Sequence, residues 1–130
     1  MIGLDTTAII DIFKEDQGIK KVIEEMDEPL ASTIINYQEI IFGLDFDKAE
    51  HKDEEKYYDE FFENIFLLPL DKESAKKASR IFRALQKKGA DIGRFDSMIS
   101  GILLQNGIKK IITRNTKHFS RIKDIEAIGY

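Results

Sequence analysis

The chain has 130 residues, enough for one compact domain and too few for two. Its 42% hydrophobic content can build a core, while the lack of any cysteine excludes disulfides, a thiolate metal site and a cysteine nucleophile. With 24 acidic against 20 basic residues the net charge is −4, which is not the basic footprint of a non-specific nucleic-acid binder. Only His51 and His118 carry imidazoles, so any bound metal must be held mainly by oxygen, which points to a hard cation such as Mg²⁺ or Mn²⁺.

In chain order, residues 2–4 are an apolar run that stops at Asp5 and passes into the helical spacing of Ile9, Ile10 and Phe13. A second helix is predicted over 17–26. Residues 29–33 predict a short strand, with Pro29 at a first position that tolerates a missing N–H, followed by a helix running to Gly43. Residues 50–64 are charged on one side and set Tyr58, Phe61 and Phe62 at helical spacing on the other. At least half of the aromatic set Tyr57, Tyr58, Phe61 and Phe62 is assigned to the core. The apolar run 65–70 predicts a buried strand and is far too short to span a bilayer. Asp71 then caps a helix whose stripe of Ala75, Ala78, Phe82 and Leu85 ends before Gly89. A helix over about 94–105 breaks at Asn106-Gly107. Strands are predicted at 110–113 and, on an edge, at 125–128.

Strands that alternate with helices argue for a parallel sheet covered on both faces, with ligands beyond the carboxyl ends of the strands. Asp5 and the segment Thr113-Arg114-Asn115 lie at such ends. No Gly-rich phosphate loop is present, which excludes nucleotide hydrolysis of the P-loop kind. The N-terminus has no basic segment ahead of an apolar stretch, so the expectation is a cytoplasmic protein without membrane association.

Three acids stand out, and pattern alone leaves each open. Asp5 reads as a helix N-cap or as a metal ligand at a strand end. Glu39 reads as a solvated helix charge, although apolar Ile40, Ile41 and Phe42 leave it a narrow exposed face. Asp96 reads as a charge on a helix dipole or as a ligand projected into the crevice.

Four segments considered together go further: Gly3-Leu-Asp-Thr-Thr-Ala-Ile-Ile10, Ser32-Thr-Ile-Ile-Asn-Tyr-Gln-Glu-Ile-Ile-Phe-Gly43, Gly89-Ala-Asp-Ile-Gly-Arg-Phe-Asp-Ser-Met-Ile-Ser-Gly101 and Ile111-Ile-Thr-Arg-Asn-Thr-Lys-His-Phe-Ser-Arg-Ile122. In order and spacing they resemble the motifs of PIN-domain ribonucleases, and the last is similar to the C-terminal motif of VapC-like toxins of type II toxin–antitoxin systems. The resemblance covers nearly the whole chain. It implies one PIN-like domain over 1–130, a three-layer α/β/α sandwich with a mainly parallel central sheet of four or five strands. It further implies an Mg²⁺-dependent endoribonuclease, with Mn²⁺ as a substitute, in which Asp5, Glu39 and Asp96 bind metal and act in catalysis. A cognate antitoxin and a homodimer are the partners it implies beside the RNA substrate.

In one respect the chain departs from that pattern. The fourth acid of the family falls at Asn115, or in some members at His118, and neither is a carboxylate here. Asn115 can still offer a carbonyl oxygen to an ion or orient a water. Thr113 is expected to help orient the site, and Arg94 and Arg114 to grip phosphate, since the guanidinium fork suits it. Arg80 and Arg83 read as the solvated side of a helix. The alternative reading is a catalytically weakened PIN-like module that binds RNA or protein. A phosphoacceptor receiver domain, suggested by Asp71 after an apolar strand, lacks the paired acids it would need beside Asp5.

Overall fold

A computed structural model describes residues 1–130. One sheet of five strands organises the chain: β1 (Ile2–Leu4), β2 (Leu30–Thr33), β3 (Phe66–Leu68), β4 (Lys110–Ile112) and β5 (Glu126–Ile128), in the order β3-β2-β1-β4-β5. Each neighbouring pair is parallel, with Gly3 opposite both Ala31 and Ile111. The helices are α1 (Thr6–Phe13), α2 (Gln17–Met26), α3 (Ile34–Phe42), α4 (Ala49–Glu63), α5 (Lys72–Lys87), α6 (Arg94–Gln105) and α7 (Thr116–Phe119).

Successive strand residues point to opposite faces, and the core divides accordingly. Ile111 packs with Leu85, Ile99, Leu103 and Phe119 on the face covered by α5, α6 and α7. Ile112, its neighbour, packs with Ile9, Ile19, Ile40 and Phe62 on the face covered by the first four helices. Two such cores around one sheet are the three layers of an α/β/α sandwich.

Local chemistry fixes the helix starts. Asp16 accepts a hydrogen bond from the Ile19 N–H at 3.0 Å at the head of α2, and Asp71 one from the Ser74 N–H at 2.8 Å at the head of α5. At α3 the cap is reciprocal. The Thr33 hydroxyl accepts from the Asn36 N–H, and the Asn36 side-chain oxygen accepts from the Thr33 N–H, both at 3.2 Å. α5 and α6 lie unusually close because Gly101 has no side chain: a Cβ there would stand 2.7 Å from the Ala78 nitrogen.

Two expectations need correction. The run 65–70 is not a buried strand. β3 covers only its middle, lies at one edge of the sheet, and leaves Phe66 and Leu67 exposed. α7 was not anticipated, since four residues carry too little periodicity to read. Tyr58 and Phe62 are buried, and Tyr57 and Phe61 pack partly buried against the same core. No helix is long and apolar enough to cross a membrane.

Candidate active site

Parallel strands bring their carboxyl ends to one edge, and there Asp5 follows β1 while Thr113 follows the adjacent β4. Asp5 occupies the N-cap position of α1 but makes no capping hydrogen bond through its side chain. It turns inward instead and is almost fully buried, 3% exposed. Its Oδ2 accepts from the Thr113 hydroxyl at 2.7 Å and the Thr7 hydroxyl at 3.4 Å, and its Oδ1 accepts from the Asn36 amide at 3.2 Å. The two threonines also accept in turn: Thr113 from the Asn115 N–H at 2.9 Å, Thr7 from the Arg114 N–H at 3.0 Å. The turn after β4 is thereby fastened to Asp5 through two hydroxyls.

Glu39 rises from α3 on the same side. Its Oε1 accepts from the Thr6 hydroxyl at 2.7 Å, and that hydroxyl accepts from the Asn36 amide at 3.1 Å. Asp96 stands in the first turn of α6, where its Oδ2 is 3.0 Å from Nδ1 of His118 on α7. The carboxylate oxygen accepts there, from the tautomer of His118 that carries its hydrogen on Nδ1.

Charge is concentrated where these elements meet. Burial pushes the Asp5 carboxyl above its ordinary range, the Thr113 hydrogen bond opposes this, and the charge of Asp96 adds to it. Burial likewise raises Glu39, against the Thr6 hydrogen bond, and the charges of Asp5 and Asp96 raise it further. The three carboxylates therefore sense one another. No three His, Asp or Glu side chains enclose a ready-made cation cage. The donor set nevertheless suits a hard divalent ion: it is all oxygen, it is threefold negative when ionised, and Asp5 Oδ1, which accepts from Asn36, keeps a further lone pair.

A family model for the PIN domain matches residues 2–125. The chain belongs to the PIN-domain family. Among curated proteins, Ribonuclease VapC1 of Methanocaldococcus jannaschii is 33% identical over 125 residues, 95% of this chain and 82% of the relative. The tRNA(fMet)-specific endonuclease VapC of Salmonella typhimurium is 26% identical over 123 residues, 94% of this chain and 92% of that one. In the solved structure of VapBC-1 from nontypeable Haemophilus influenzae, the matched chain is 26% identical with a TM-score of 0.82, covering 99% of this chain and 98% of that one. VapBC2 from Rickettsia felis, bound to a promoter DNA fragment, reaches a TM-score of 0.84 at 19% identity over 100% of this chain and 99% of that one, a likeness of fold alone.

This PIN domain brings together Asp5, Glu39, Asp96 and Thr113 of the expected residues and leaves others apart. Asn115 is exposed at the N-cap position of α7, and its side chain makes no capping bond. From the same helix it is His118 that reaches Asp96. Arg114 is exposed, with Nε 2.7 Å from Asp11, whose other partner is the Tyr130 hydroxyl. Arg94 lies over the Phe82 ring, 5.9 Å from its centre, in a groove it shares with Arg83 and Met98. Two positions along a helix face about 160° apart, which is why Arg94 and Asp96 diverge. The residues not singled out as ligand supports are Thr6, Thr7 and Asn36. A signal for Asn36 existed in Thr33-x-x-Asn36 at a helix start, a polar residue set between apolar neighbours one turn before Glu39.

Proposed function

We propose that this PIN domain is a divalent-cation-dependent endoribonuclease, the toxin of a toxin–antitoxin pair, with Mg²⁺ as its ion and Mn²⁺ as a substitute. The observation that carries the reading is the convergence of Asp5, Glu39 and Asp96 at the carboxyl edge of the sheet, where Asp5 and Glu39 are pushed up by burial and by neighbouring acid charge. The names of the two curated VapC relatives, a ribonuclease and a tRNA endonuclease, support the substrate class.

Asp5, Glu39 and Asp96 are the residues that would hold the ion. When bound, such a cation polarises a phosphodiester and lowers the pKa of a water at the site. The chain's own part is orientation. Thr113 and Asn36 fix the plane of the Asp5 carboxylate, so the further lone pair of Oδ1 is presented in a set direction. Thr6 does the same for Glu39. His118 limits the rotation of Asp96. Thr113 also anchors the Asn115 backbone, which sets the turn carrying Arg114 beside the carboxylates. Arg114, and Arg94 from the head of α6, are assigned to the RNA backbone, whose phosphates match the guanidinium fork.

A small antitoxin is the assigned protein partner, in keeping with the VapBC complexes that share this fold, and a second copy of the chain is the other. The apolar side chains of Phe42, Phe46, Phe66 and Leu67 are exposed and offer contact area for such partners.

The test is cleavage of a panel of labelled RNAs by purified protein with Mg²⁺ or with EDTA, beside Asp5→Asn and Asp96→Asn. Metal-dependent cutting that vanishes in both variants supports the nuclease and its ligands. An inactive but folded wild type favours the second reading, a PIN-like binding module. The exposed Asn115 in place of a fourth acid is the observation behind that alternative.

A further inference from the structure

We infer that Asn36 is the positioning residue that sets Asp5 and Glu39 together, so that one side-chain amide governs the geometry of two of the three carboxylates. The inference rests on the nuclease reading of the site and adds a residue to its machinery.

Asn36 is completely buried, 0% exposed, in the first turn of α3. Its two ends do different work. The oxygen faces backwards and caps the helix, accepting from the Thr33 N–H at 3.2 Å and the Thr33 hydroxyl at 2.7 Å. The nitrogen faces the site and donates twice, to Asp5 Oδ1 at 3.2 Å and to the Thr6 hydroxyl at 3.1 Å. An amide nitrogen has two hydrogens, so both are used. Having accepted from Asn36, the Thr6 hydroxyl directs its single hydrogen to Glu39 Oε1 at 2.7 Å. A chain of defined direction thus runs from the amide through Thr6 to Glu39, with a branch to Asp5.

The cap makes this arrangement rigid. The backbone N–H of Thr33 holds the oxygen of Asn36, which fixes the amide plane and therefore both donor directions. Without Nδ2, Asp5 Oδ1 loses the donor recorded for it, and the Thr6 hydroxyl is free to turn from Glu39. Outer partners of this kind orient ligands, and their removal reduces metal affinity or activity by about 10–100-fold.

Since the cap and the donor are separate atoms, helix stability and site geometry can be tested apart. The measurements are steady-state RNA cleavage, Mn²⁺ binding to the metal-free protein by titration calorimetry, and thermal melting. They are made on wild type, Asn36→Leu, Thr6→Val and Thr33→Val. Thr33→Val removes the hydroxyl and so weakens the cap, but it keeps the Thr33 N–H that holds the amide plane and spares the Nδ2 donor. Asn36→Leu is expected to lower kcat and weaken Mn²⁺ binding by about tenfold or more, with KM within about twofold of wild type. Thr6→Val, which breaks only the branch to Glu39, moves both in the same direction and carries the test if Asn36→Leu does not fold. Thr33→Val melts at a lower temperature but keeps kcat and Mn²⁺ affinity. Equal losses in Asn36→Leu and Thr33→Val, or wild-type values in Thr6→Val, overturn the inference. A wild type that neither cuts RNA nor binds Mn²⁺ overturns the nuclease reading itself, and the inference with it.

Discussion

The hydroxyl of Thr113 donates a 2.7 Å hydrogen bond to the buried carboxylate of Asp5, 108 residues earlier in the chain. It joins the ends of the two central strands β1 and β4 at the point where the candidate site lies. A hydrogen bond to a buried carboxylate is worth about 1.5–3 kcal/mol. Thr113→Val keeps the shape and removes the donor, and it also leaves the Asn115 N–H without its acceptor. Denaturant unfolding of that variant should show a loss of about 1–3 kcal/mol, and RNA cleavage should fall by about tenfold or more. Thr113→Ser should restore most of both. A Val variant with wild-type stability and rate would show that the contact does neither job.

Divalent ions should stabilise the folded chain. Acid charge gathered around Asp5 and Glu39 opposes folding unless a cation offsets it, and an ion that binds only the native state adds about 2.7 kcal/mol at a hundredfold excess over its Kd. Thermal melting with and without Mg²⁺ should therefore show a rise of several degrees in the wild type and little or none in Asp5→Asn or Asp96→Asn. An unchanged wild-type melting temperature at saturating ion would rule out this site as a metal centre.

The tyrosines predict an alkaline limit. Tyr58 is pushed up to about 12 by burial, helped by Glu54, and Tyr130 to about 12 by burial and its hydrogen bond to Asp11, with Arg114 pulling the other way. A hydroxyl raised in the folded state holds its proton more tightly there than in the unfolded chain. Its contribution is fully present below the unfolded value of about 10 and is lost as pH rises through about 12. Tyrosinate absorbance in the native protein should thus appear late, and stability should drop across that window. Tyr130→Phe should blunt the drop, and an unshifted titration would contradict the environments described for both rings.

Between α5 and α6 there is no space for a side chain at position 101. Gly101→Val forces a Cβ to within 2.7 Å of the Ala78 backbone, and such overpacking costs about 1–3 kcal/mol. Because Asp96 rides on the same helix, cleavage should fall along with stability, whereas Gly107→Ala, with open space around it but a left-handed backbone, should reduce stability alone.

Much of this architecture was legible in the residues. Asp71 and the apolar stripe after it located α5, the break at Asn106-Gly107 ended α6, and alternation of strand and helix implied the parallel sheet. The run ending in Pro69 and Leu70 misled, because an apolar stretch looks the same whether its strand is central or at an edge. Asp5, Glu39 and Asp96 could be singled out by type and place. Their supports could not: Asn36 acts on Asp5 across 31 residues, a relationship absent from any local pattern. The arginines were legible in place but not in direction. Sequence placed Arg94 and Arg114 beside the motifs but gave no direction for their side chains, which found Phe82 and Asp11.

The order of strands in the sheet has a consequence for the newborn chain. β4 is the second-to-last strand to be made, yet it sits beside β1, the first. Asp5 therefore leaves the ribosome early and waits through β2 and β3 for the threonine that fixes it. Until the segment around Thr113 has emerged and docked, Asp5 lacks its shortest hydrogen bond and Asp96 lacks His118. The candidate site is thus incomplete until β4 has been made.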